Sequence, residues 1–519
     1  MRAAGGVVRT RRVSASSHRS IHEAGPTTHP VRDQSISSER VHDRLEAAGV
    51  RPHWVGDPPS HFTDLSVDSR DAGAGHLFVA VRGTRVDGHS FVDTAARAGA
   101  SAAVVEQTTP SELPQLVVSD SRRAIAVLAM LFSGDPGDPL RLIGITGTNG
   151  KSTTAWLVRW VLAGRESSAA VGTLGVVGAD GVVRPGSLTT PDPIALGRIL
   201  AGLREDGVAS VALEASSHAL VQRRIDGLRF AAIAYTSFSR EHLEYHADLD
   251  SYRAAKLRLV DLLEDGGICA VNQDEPAWRD LAPSGARTLR YGLDPAADIC
   301  AIDVEPRPGS TTFRLATPGG DAPVRLPLPA EFNVRNALAA AAVSFGLGHS
   351  PIEIAARLSS SPAVPGRMEV LRREPTLVFR DYAHTPDSYE RVLSTLRGLV
   401  PGRVVAVFGC GGERDPGKRP LMGEIATRLA DLTVVTTDNP RSEDPAQICG
   451  QVVDGLDPET FEVVLDRREA IEYALAHTGP DDAVVLLGKG HENYQIVGEE
   501  KLPFDEAAIV EEISAGATG

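Results

Sequence analysis

The 519-residue chain has few lysines, cysteines and aromatic residues, and it has no long apolar run. Its four cysteines lack CxxC spacing, which excludes a disulfide scaffold and a zinc ribbon and suits a reducing cytoplasm. No apolar stretch approaches the roughly 18 residues that a membrane-spanning helix needs. The 53 basic residues are outnumbered by 68 acidic residues. The formal net charge of −15 argues against a general nucleic-acid binder.

Lysine is much rarer than arginine in this chain. Among 53 basic residues only five are lysines, namely Lys151, Lys256, Lys418, Lys489 and Lys501. A lysine amine can lose its proton and react, whereas an arginine side chain stays charged. We therefore expect some of these lysines to have chemical roles.

The pattern along the chain predicts a disordered tail followed by three α/β domains. Residues 1–40 hold seven arginines against three acidic residues and show no apolar period. A transit peptide and a start codon placed too early are alternative interpretations of this tail. Segments rich in proline and glycine mark domain junctions at 133–139 and 360–366. The predicted domains are 41–139, 140–363 and 364–519.

Alternating strands and helices predict mainly parallel sheets with helices on both faces. In the small N-terminal domain, 76–83 reads as a strand, and 90–106 as a helix followed by a strand. The central domain has predicted strands at 141–146 and 208–216 and a helix at 151–164. The C-terminal domain is predicted to be Rossmann-like. Its strands at 404–409, 432–437 and 483–488 each lead into a polar loop, and such loops build the ligand crevice of open α/β sheets.

A glycine-rich loop, GITGTNGKSTT at 144–154, follows a buried strand and opens a helix. Its backbone N–H groups can cradle phosphate, Lys151 can reach the β- and γ-phosphates, and the Ser152 hydroxyl can hold Mg²⁺. The common G-x-x-x-x-G-K-[ST] loop has glycine where this chain has Ile145. The pattern predicts a nucleoside triphosphate site, and an incidental glycine-rich turn is the alternative.

Later in the chain, three separate residues have side chains suited to metal binding. Glu214 ends an apolar strand, where a carboxylate can hold Mg²⁺ against nucleotide phosphates. His242 follows in SREHLEYH, and Lys256 lies in the helical segment YRAAKLRL. A lysine amine can add CO₂ and become a carbamate, which a guanidinium cannot do. The alternatives are a solvated acid, a loop or core histidine and an exposed helix lysine.

The shorter phosphate loop, G-x-x-G-K-S-T, resembles that of the Mur ligase family, ATP-dependent enzymes that build the peptide stem of bacterial peptidoglycan. The resemblance extends from about residue 68 to about residue 505. It implies that Lys151, Glu214, His242 and Lys256 are catalytic, that Ser152, Glu214 and His242 bind metal, and that Lys256 is an N6-carboxylysine ligand. It also implies ATP contacts at Gly147, Thr148, Asn149, Gly150, Lys151, Ser152, Thr153, Asn333, Asn336, Arg367 and Asp381.

The resemblance further implies a site for a UDP-N-acetylmuramoyl-dipeptide. The matching positions are Val67, Ser69, Thr84, Arg85, Val86, Thr189, Thr190, Ser216, Gln222 and Arg224. Each of these is weak by itself, because hydroxyls and arginines are common in loops, and only their joint spacing supports the inference. Helix capping is likewise the alternative for Asn333 and Asn336, which are predicted at a helix start.

The segment DNPR at 438–441 resembles the motif of family members that add meso-diaminopimelate. Diaminopimelate has a second carboxylate that lysine lacks, and Arg441 can clamp it bidentately. The rest of the implied pocket is Arg414, Asp438, Asn439, Pro440, Gly488 and Glu492, with Glu492 pairing with the distal ammonium. A surface arginine is the alternative for Arg441.

Taken together, the resemblance implies an ATP- and Mg²⁺-dependent ligase that adds meso-diaminopimelate to UDP-N-acetylmuramoyl-L-alanyl-D-glutamate through an acyl phosphate. We expect a cytoplasmic monomer that binds no nucleic acid and does not insert into membranes. The alternatives are the same reaction with L-lysine or another diamino acid, a folate polyglutamylating ligase, and an ATP-binding regulatory protein with an inactive site.

Overall fold

The computed structural model describes residues 35–83, 86–242 and 245–516. No helix in these ranges has the length and apolarity to cross a bilayer. The chain enters the fold earlier than predicted, because β1 (Ile36–Ser37) and the start of α1 (Ser38–Ala47) fall inside the expected tail. The Ser37 hydroxyl caps α1, and Ile36 pairs with Phe62 in a two-stranded sheet. The remainder of the expected tail, 1–34, lies outside the described residues.

The N-terminal unit is a small, mostly parallel sheet flanked by helices. Its elements are β2 (His53–Val55), β3 (His61–Phe62), β4 (Asp64–Ser66), β5 (His76–Val79), α2 (Val92–Ala98), β6 (Ala102–Val105), β7 (Gln115–Val117) and α3 (Ser121–Phe132). The strand order is β2-β7-β6-β5-β4, and only β2 is antiparallel to its neighbour. The predicted strand at 76–83 and the helix and strand within 90–106 are therefore confirmed as β5, α2 and β6.

The central unit has a sheet of eleven strands. Its elements are β8 (Arg141–Thr146), α4 (Lys151–Leu162), β9 (Ser168–Gly172), β10 (Gly175–Val177), β11 (Val183–Arg184), α5 (Pro193–Glu205), β12 (Ser210–Glu214), α6 (Ser217–Val221), β13 (Phe230–Tyr235), α7 (Leu249–Leu257), β14 (Leu263–Asn272), β15 (Arg287–Gly292), β16 (Ile299–Arg307), β17 (Ser310–Thr317), β18 (Gly320–Leu326), α8 (Glu331–Gly346) and α9 (Pro351–Ser359).

The strands at the centre of this sheet are parallel, as predicted. The order is β11-β10-β9-β12-β8-β13-β14-β15-β16-β17-β18, and pairing is parallel from β9 to β16. The sheet ends on one side in an antiparallel meander, β16 to β18, which the sequence analysis did not predict. Helices α4 and α8 cover one face. The alanines of α8 at 337 and 339–342 are fully buried there, so small side chains let this helix pack closely.

The C-terminal unit is a second parallel sheet. Its elements are β19 (Glu369–Arg372), β20 (Leu377–Asp381), α10 (Pro386–Leu399), β21 (Val404–Phe408), α11 (Lys418–Leu429), β22 (Leu432–Val435), α12 (Pro445–Val453), β23 (Phe461–Val463), α13 (Arg467–Ala476), β24 (Ala483–Leu487), β25 (Tyr494–Val497), β26 (Glu500–Pro503) and α14 (Glu506–Gly516). The order is β19-β20-β24-β21-β22-β23, with only β19 antiparallel. The three predicted strands are β21, β22 and β24, which are adjacent, so their polar loops lie side by side.

Candidate active site

The phosphate loop lies between β8 and α4, as predicted, and its glycines are required by geometry. Gly147 and Gly150 have φ angles of 147° and 89°, a region that residues with a Cβ rarely adopt. A Cβ at Gly147 would overlap the Thr236 hydroxyl, and one at Gly150 would overlap the Asn336 side chain. The loop is thus closely enclosed at both glycines.

The end of β13 holds this loop in place. The Thr236 hydroxyl donates to the Asn149 carbonyl at 2.7 Å, and the Asn149 N–H donates to the Ser237 hydroxyl at 3.0 Å. Lys151 folds back across the loop and donates to the carbonyl oxygens of Gly147 and Thr148 at 3.0 and 2.8 Å. The ammonium is therefore already directed toward the loop on which a phosphate would rest.

A cavity of about 480 Å³ opens beside the loop, between the central and C-terminal units. This volume is within the usual range for small-molecule sites. Most of the predicted nucleotide and metal residues line it, together with two of the predicted dipeptide residues: Thr148, Asn149, Gly150, Lys151, Ser152, Thr153, Thr189, Glu214, Ser216, His242, Asn333, Asn336, Arg367 and Asp381. One space thus brings together residues from distant parts of the chain.

Glu214 is a buried carboxylate and not the solvated acid of the alternative interpretation. It is 1% exposed and accepts hydrogen bonds from the Thr173 N–H at 2.9 Å and the Thr173 hydroxyl at 3.2 Å. Gly172 leaves it room, because a Cβ there would overlap the carboxylate. Across the cavity wall, the Ser152 hydroxyl accepts a hydrogen bond from Arg367 at 3.1 Å.

Lys256 is buried beneath the phosphate loop, so the alternative of an exposed helix lysine is wrong. Its Nζ donates to the Gly147 carbonyl at 2.7 Å and lies 4.4 Å from the centre of the Tyr252 ring. Burial, with the nearby Lys151, lowers the pKa of this amine well below its usual value. His242 lines the cavity, and its ring centre is 6.3 Å from that of Tyr252. Lys256 itself does not line the cavity.

The two asparagines of α8 do not cap it, because the N-cap is Ala330. Asn333 donates to the Pro329 carbonyl at 2.8 Å, and Asn336 donates to the Asn333 side-chain oxygen at 3.2 Å. The capping alternative is therefore wrong. Both amides lie inside the first turns and face the cavity.

The C-terminal unit contributes a cation and a buried acid to the cavity. Asp381 accepts hydrogen bonds from the N–H groups of Met368 and Ala383, both at 2.7 Å. Burial raises the pKa of Asp381, while Arg367 opposes the rise. The Arg367 guanidinium lies 4.5 Å from the centre of the Tyr382 ring, which fixes its direction.

The residues predicted for the dipeptide form one hydrogen-bonded network beside Glu214. Arg224 donates to the Gln222 side chain at 2.8 Å and to the Thr190 carbonyl at 2.7 Å. The Thr190 hydroxyl lies 3.2 Å from that of Ser216, and the hydroxyls of Thr189 and Thr173 are 3.0 Å apart. In the N-terminal unit Val67 and Val86 are exposed and Ser69 is buried. Thr84 and Arg85 lie outside the described residues.

The residues predicted for the amino acid meet at the carboxyl edge of β21, β22 and β24. Arg441 has a left-handed φ of 53°, and it donates from its main chain to the Ile496 carbonyl at 3.0 Å. Its guanidinium donates to the Gly412 carbonyl at 2.7 Å. Asn439 donates to the Glu492 carboxylate at 2.8 Å. The remaining members also lie in this cluster: Arg414 beside Gly411, Gly488 beside Asp438, and Pro440 against Gly412.

Several residues around these sites were missed by the sequence analysis. Asp387 accepts hydrogen bonds from Asn149 and Ser239, both at 3.2 Å, and so links the C-terminal unit to the phosphate loop. It ends the motif DYAHTPD, from which only Asp381 was chosen. Arg467 and Glu506 form a fully buried ion pair at 2.8 Å. No local pattern distinguishes this pair, or Thr173 beside Glu214.

This arrangement defines a class of protein: a three-domain α/β protein in which a cavity beside a phosphate-type glycine loop lies between two mainly parallel sheets. The chain belongs to the Mur ligase family. Family models match residues 61–130 (Mur ligase family, catalytic domain), 145–344 (Mur ligase middle domain) and 366–490 (Mur ligase, glutamate ligase domain). The family resemblance predicted from the motifs is thus confirmed.

Curated relatives are similar over most of the chain. The UDP-N-acetylmuramoyl-L-alanyl-D-glutamate–2,6-diaminopimelate ligase of Thermosynechococcus vestitus is 42% identical over 478 residues, covering 90% of this chain and 96% of its own. The protein of the same name from Geobacillus kaustophilus is 40% identical over 473 residues, covering 89% and 96%. A solved structure with that name has 31% identity and a TM-score of 0.67, covering 94% of this chain and 100% of its own.

Proposed function

We propose that this protein is an ATP-dependent ligase that adds meso-diaminopimelate to UDP-N-acetylmuramoyl-L-alanyl-D-glutamate during peptidoglycan precursor synthesis. The main support is that the C-terminal unit contributes both to the cavity that holds Lys151 and Glu214 and to the cluster that contains Arg441 and Glu492. Relatives that bear this activity in their names align with nearly the whole chain.

We propose that ATP lies in the cavity with its phosphates on residues 147–153 and its adenosine against Asn333 and Asn336. In this proposal Asp381 meets the ribose and Arg367 reaches the γ-phosphate, and both side chains line the cavity. Because Arg367 belongs to the C-terminal unit and already contacts Ser152, it can supply its charge only when the two units are close.

The donor set in this cavity fits Mg²⁺. Ser152 and Glu214 offer a hydroxyl and a carboxylate, which are the oxygen ligands that Mg²⁺ prefers. His242 lines the same cavity. Among the described residues no group of three or more histidine, cysteine, aspartate and glutamate side chains forms a metal cluster. In the proposal, the carbamate of Lys256 would add an oxygen ligand from beneath the phosphate loop. Bound there, the cation would neutralise phosphate charge.

The proposed reaction has two steps. The γ-carboxylate oxygen of the D-glutamyl residue attacks the γ-phosphorus of ATP, an acyl phosphate forms, and ADP leaves. The amine nitrogen of diaminopimelate then attacks the acyl carbon, loses one proton, and phosphate leaves as the amide bond forms. The dipeptide is held beside Glu214 by Thr189, Thr190, Ser216, Gln222 and Arg224. Catalysis consists mainly of positioning and charge neutralisation.

We propose that Lys256 is carbamylated: its neutral amine attacks CO₂, a C–N bond forms, and one proton is released. Its burial beneath Gly147 favours an uncharged amine at this position. Because the chain has only five lysines, a ¹³C-labelled CO₂ spectrum would resolve a single carbamate carbon, and Lys256→Arg should abolish it. The variant should fold and lose most of its activity. Near-full activity would contradict the role.

An amino-acid panel tests the proposed function directly. Purified full-length protein receives ATP, Mg²⁺ and UDP-N-acetylmuramoyl-L-alanyl-D-glutamate with meso-diaminopimelate, L-lysine or ornithine, and phosphate release and tripeptide formation are measured. Only meso-diaminopimelate should support rapid turnover. Preference for L-lysine would support the diamino acid alternative, and turnover with a folate would support the polyglutamylating alternative. No turnover with any substrate would leave the inactive-site alternative.

We propose a cytoplasmic monomer whose partners are small molecules only. All four cysteines are free and buried, which suits a reducing compartment. Size-exclusion chromatography with light scattering would test the monomer.

A further inference from the structure

A fully buried ammonium lies within the amino-acid pocket, and the steps above do not use it. Lys489 follows β24 and has 0% exposure. Its Nζ is 3.2 Å from Asn439 Oδ1, 3.5 Å from Asp438 Oδ1 and 3.6 Å from Glu492 Oε2. A buried charge is costly unless it is paired and hydrogen-bonded, so these three contacts account for its presence.

Lys489 and the Ile496 N–H together determine which way the Asn439 amide faces. The side-chain oxygen of Asn439 accepts from Lys489 and from the Ile496 N–H at 3.0 Å. The amide nitrogen is then left to donate to Glu492 at 2.8 Å. The reversed amide would set its NH₂ group against two donors and its oxygen against a carboxylate. Lys489 therefore supports the orientation of Glu492 through Asn439, together with the Ile496 N–H.

Lys489 also balances the charge of this cluster. Asp438 and Glu492 are both acidic and both lie near the ammonium. Burial raises the pKa of Glu492, with Asp438 adding to the rise, whereas Asn439 and Lys489 lower it. Two phenols, Tyr382 and Tyr494, face Glu492 as well. Arg414 and Arg441 act on the two phenols, and Lys489 is the cation that forms an ion pair with Glu492 among the described residues, so its loss would favour the neutral form of Glu492.

We propose that Lys489 is a positioning residue for diaminopimelate, which holds Asn439 and Glu492 ready to receive the distal ammonium of the amino acid. It acts through these two side chains, because its ammonium is enclosed by them and by Asp438. The inference deepens the proposed function and rests on it. It also gives a reason for lysine at this position, since the broader guanidinium of arginine would not fit the same three contacts.

The test compares Lys489→Met and Lys489→Gln with wild type in steady-state phosphate release, varying one substrate at a time. Lys501→Met is the matched control, because Lys501 is exposed and its ammonium lies 3.8 Å from the centre of the Tyr494 ring, whereas Lys489 contacts Asp438, Asn439 and Glu492. Removing a charged hydrogen-bonding partner should raise the diaminopimelate KM roughly 10- to 100-fold in Lys489→Met, with the ATP KM nearly unchanged. Lys489→Gln keeps a donor for Asn439 and should show a smaller rise.

A pH profile separates positioning from a general loss of structure. In Lys489→Met the acidic limb of kcat/KM for diaminopimelate should move to higher pH, because Glu492 loses the cation that favours its charged form. A double-variant cycle with Asn439→Ala should show less than additive effects.

An unchanged diaminopimelate KM, or an equal rise in the KM of all substrates, would overturn the inference. If Lys489→Met does not fold, Lys489→Gln and a cycle that combines it with Asn439→Ala carry the same test. Failure of the proposed function is distinguishable, because wild type itself would then release no phosphate in response to diaminopimelate.

Discussion

The prediction with the sharpest magnitude concerns Arg441. Its main chain is held in a left-handed conformation by bonds to Ile496 and Gly498 at 3.0 and 2.8 Å. One guanidinium nitrogen is committed to the Gly412 carbonyl at 2.7 Å. A guanidinium has five N–H donors, so enough remain for a bidentate grip on a carboxylate. Strained main-chain conformations of this kind cluster at functional sites.

Arg441→Met removes that grip from an otherwise intact pocket. A hydrogen bond to a charged group contributes about 1.5–3 kcal/mol, which converts to roughly a 10- to 150-fold change in affinity. We therefore expect the diaminopimelate KM to rise within that range and the low turnover with L-lysine, which has no second carboxylate, to stay unchanged. Arg441→Lys keeps the charge without the planar fork and should fall between the two.

Steady-state phosphate release with varied diaminopimelate, L-lysine and ATP compares both variants with wild type. Arg428→Met is the control, because Arg428 is an exposed arginine that pairs with Glu390 on the surface. Equal rises in the KM for ATP and for diaminopimelate would refute the clamp, as would a comparable loss of L-lysine turnover.

Three further predictions test other parts of the structure. Gly150→Ala would set a Cβ against Asn336 in a left-handed residue, at a backbone cost of about 1–2 kcal/mol, so the ATP KM should rise while the diaminopimelate KM stays constant. Glu506→Ala leaves Arg467 buried without its partner and should lower the free energy of unfolding in urea by about 3–5 kcal/mol. The double variant Arg467→Met with Glu506→Leu should recover most of that loss. An equal loss of stability in the single and the double variant would contradict this expectation. Burial lowers the pKa of His491 to about 4 in the folded protein. Because the unfolded chain keeps the ordinary histidine pKa of about 6.5, it binds a proton at a higher pH than the folded protein does. The free energy of unfolding should therefore fall as pH drops from about 6.5 to 4. His491→Gln should flatten that part of the curve, and an unchanged slope would assign it to other groups.

The parts of the fold that the sequence predicts well are those with strong local patterns. The runs RLIGIT and AVVLLG are apolar on both faces, and they are indeed interior parallel strands, β8 and β24. The meander from β16 to β18 was missed, although its burial alternates along β17 and β18 as in a half-exposed antiparallel sheet. The tail boundary was misplaced, because a two-residue strand such as β1 has no pattern of its own.

The candidate site likewise contains residues that a local motif identifies and residues that only the folded structure brings together. Lys151 and Ser152 follow a glycine loop whose spacing carries its own chemistry. Lys489 is different, because its partner Asn439 is 50 positions away and only the folded sheet brings the two together. The scarcity of lysine drew attention to this residue without indicating its partners. The alternatives for Glu214 and Lys256 could be rejected only once their burial was known.

The buried pair between Arg467 and Glu506 has a consequence for how the molecule is made. Arg467 also donates to the Leu487 carbonyl at 2.9 Å, next to Gly488 in the proposed amino-acid pocket. The floor of that pocket is thus joined to α14, which leaves the ribosome after every other element described. The phosphate loop can fold while later residues are still being synthesised. The proposed amino-acid pocket, in contrast, lacks the contact between Arg467 and Glu506 until residue 506 has left the ribosome. A chain that ended shortly before residue 506 would keep the residues of the nucleotide cavity and would lack the Arg467–Glu506 ion pair beneath the proposed amino-acid pocket.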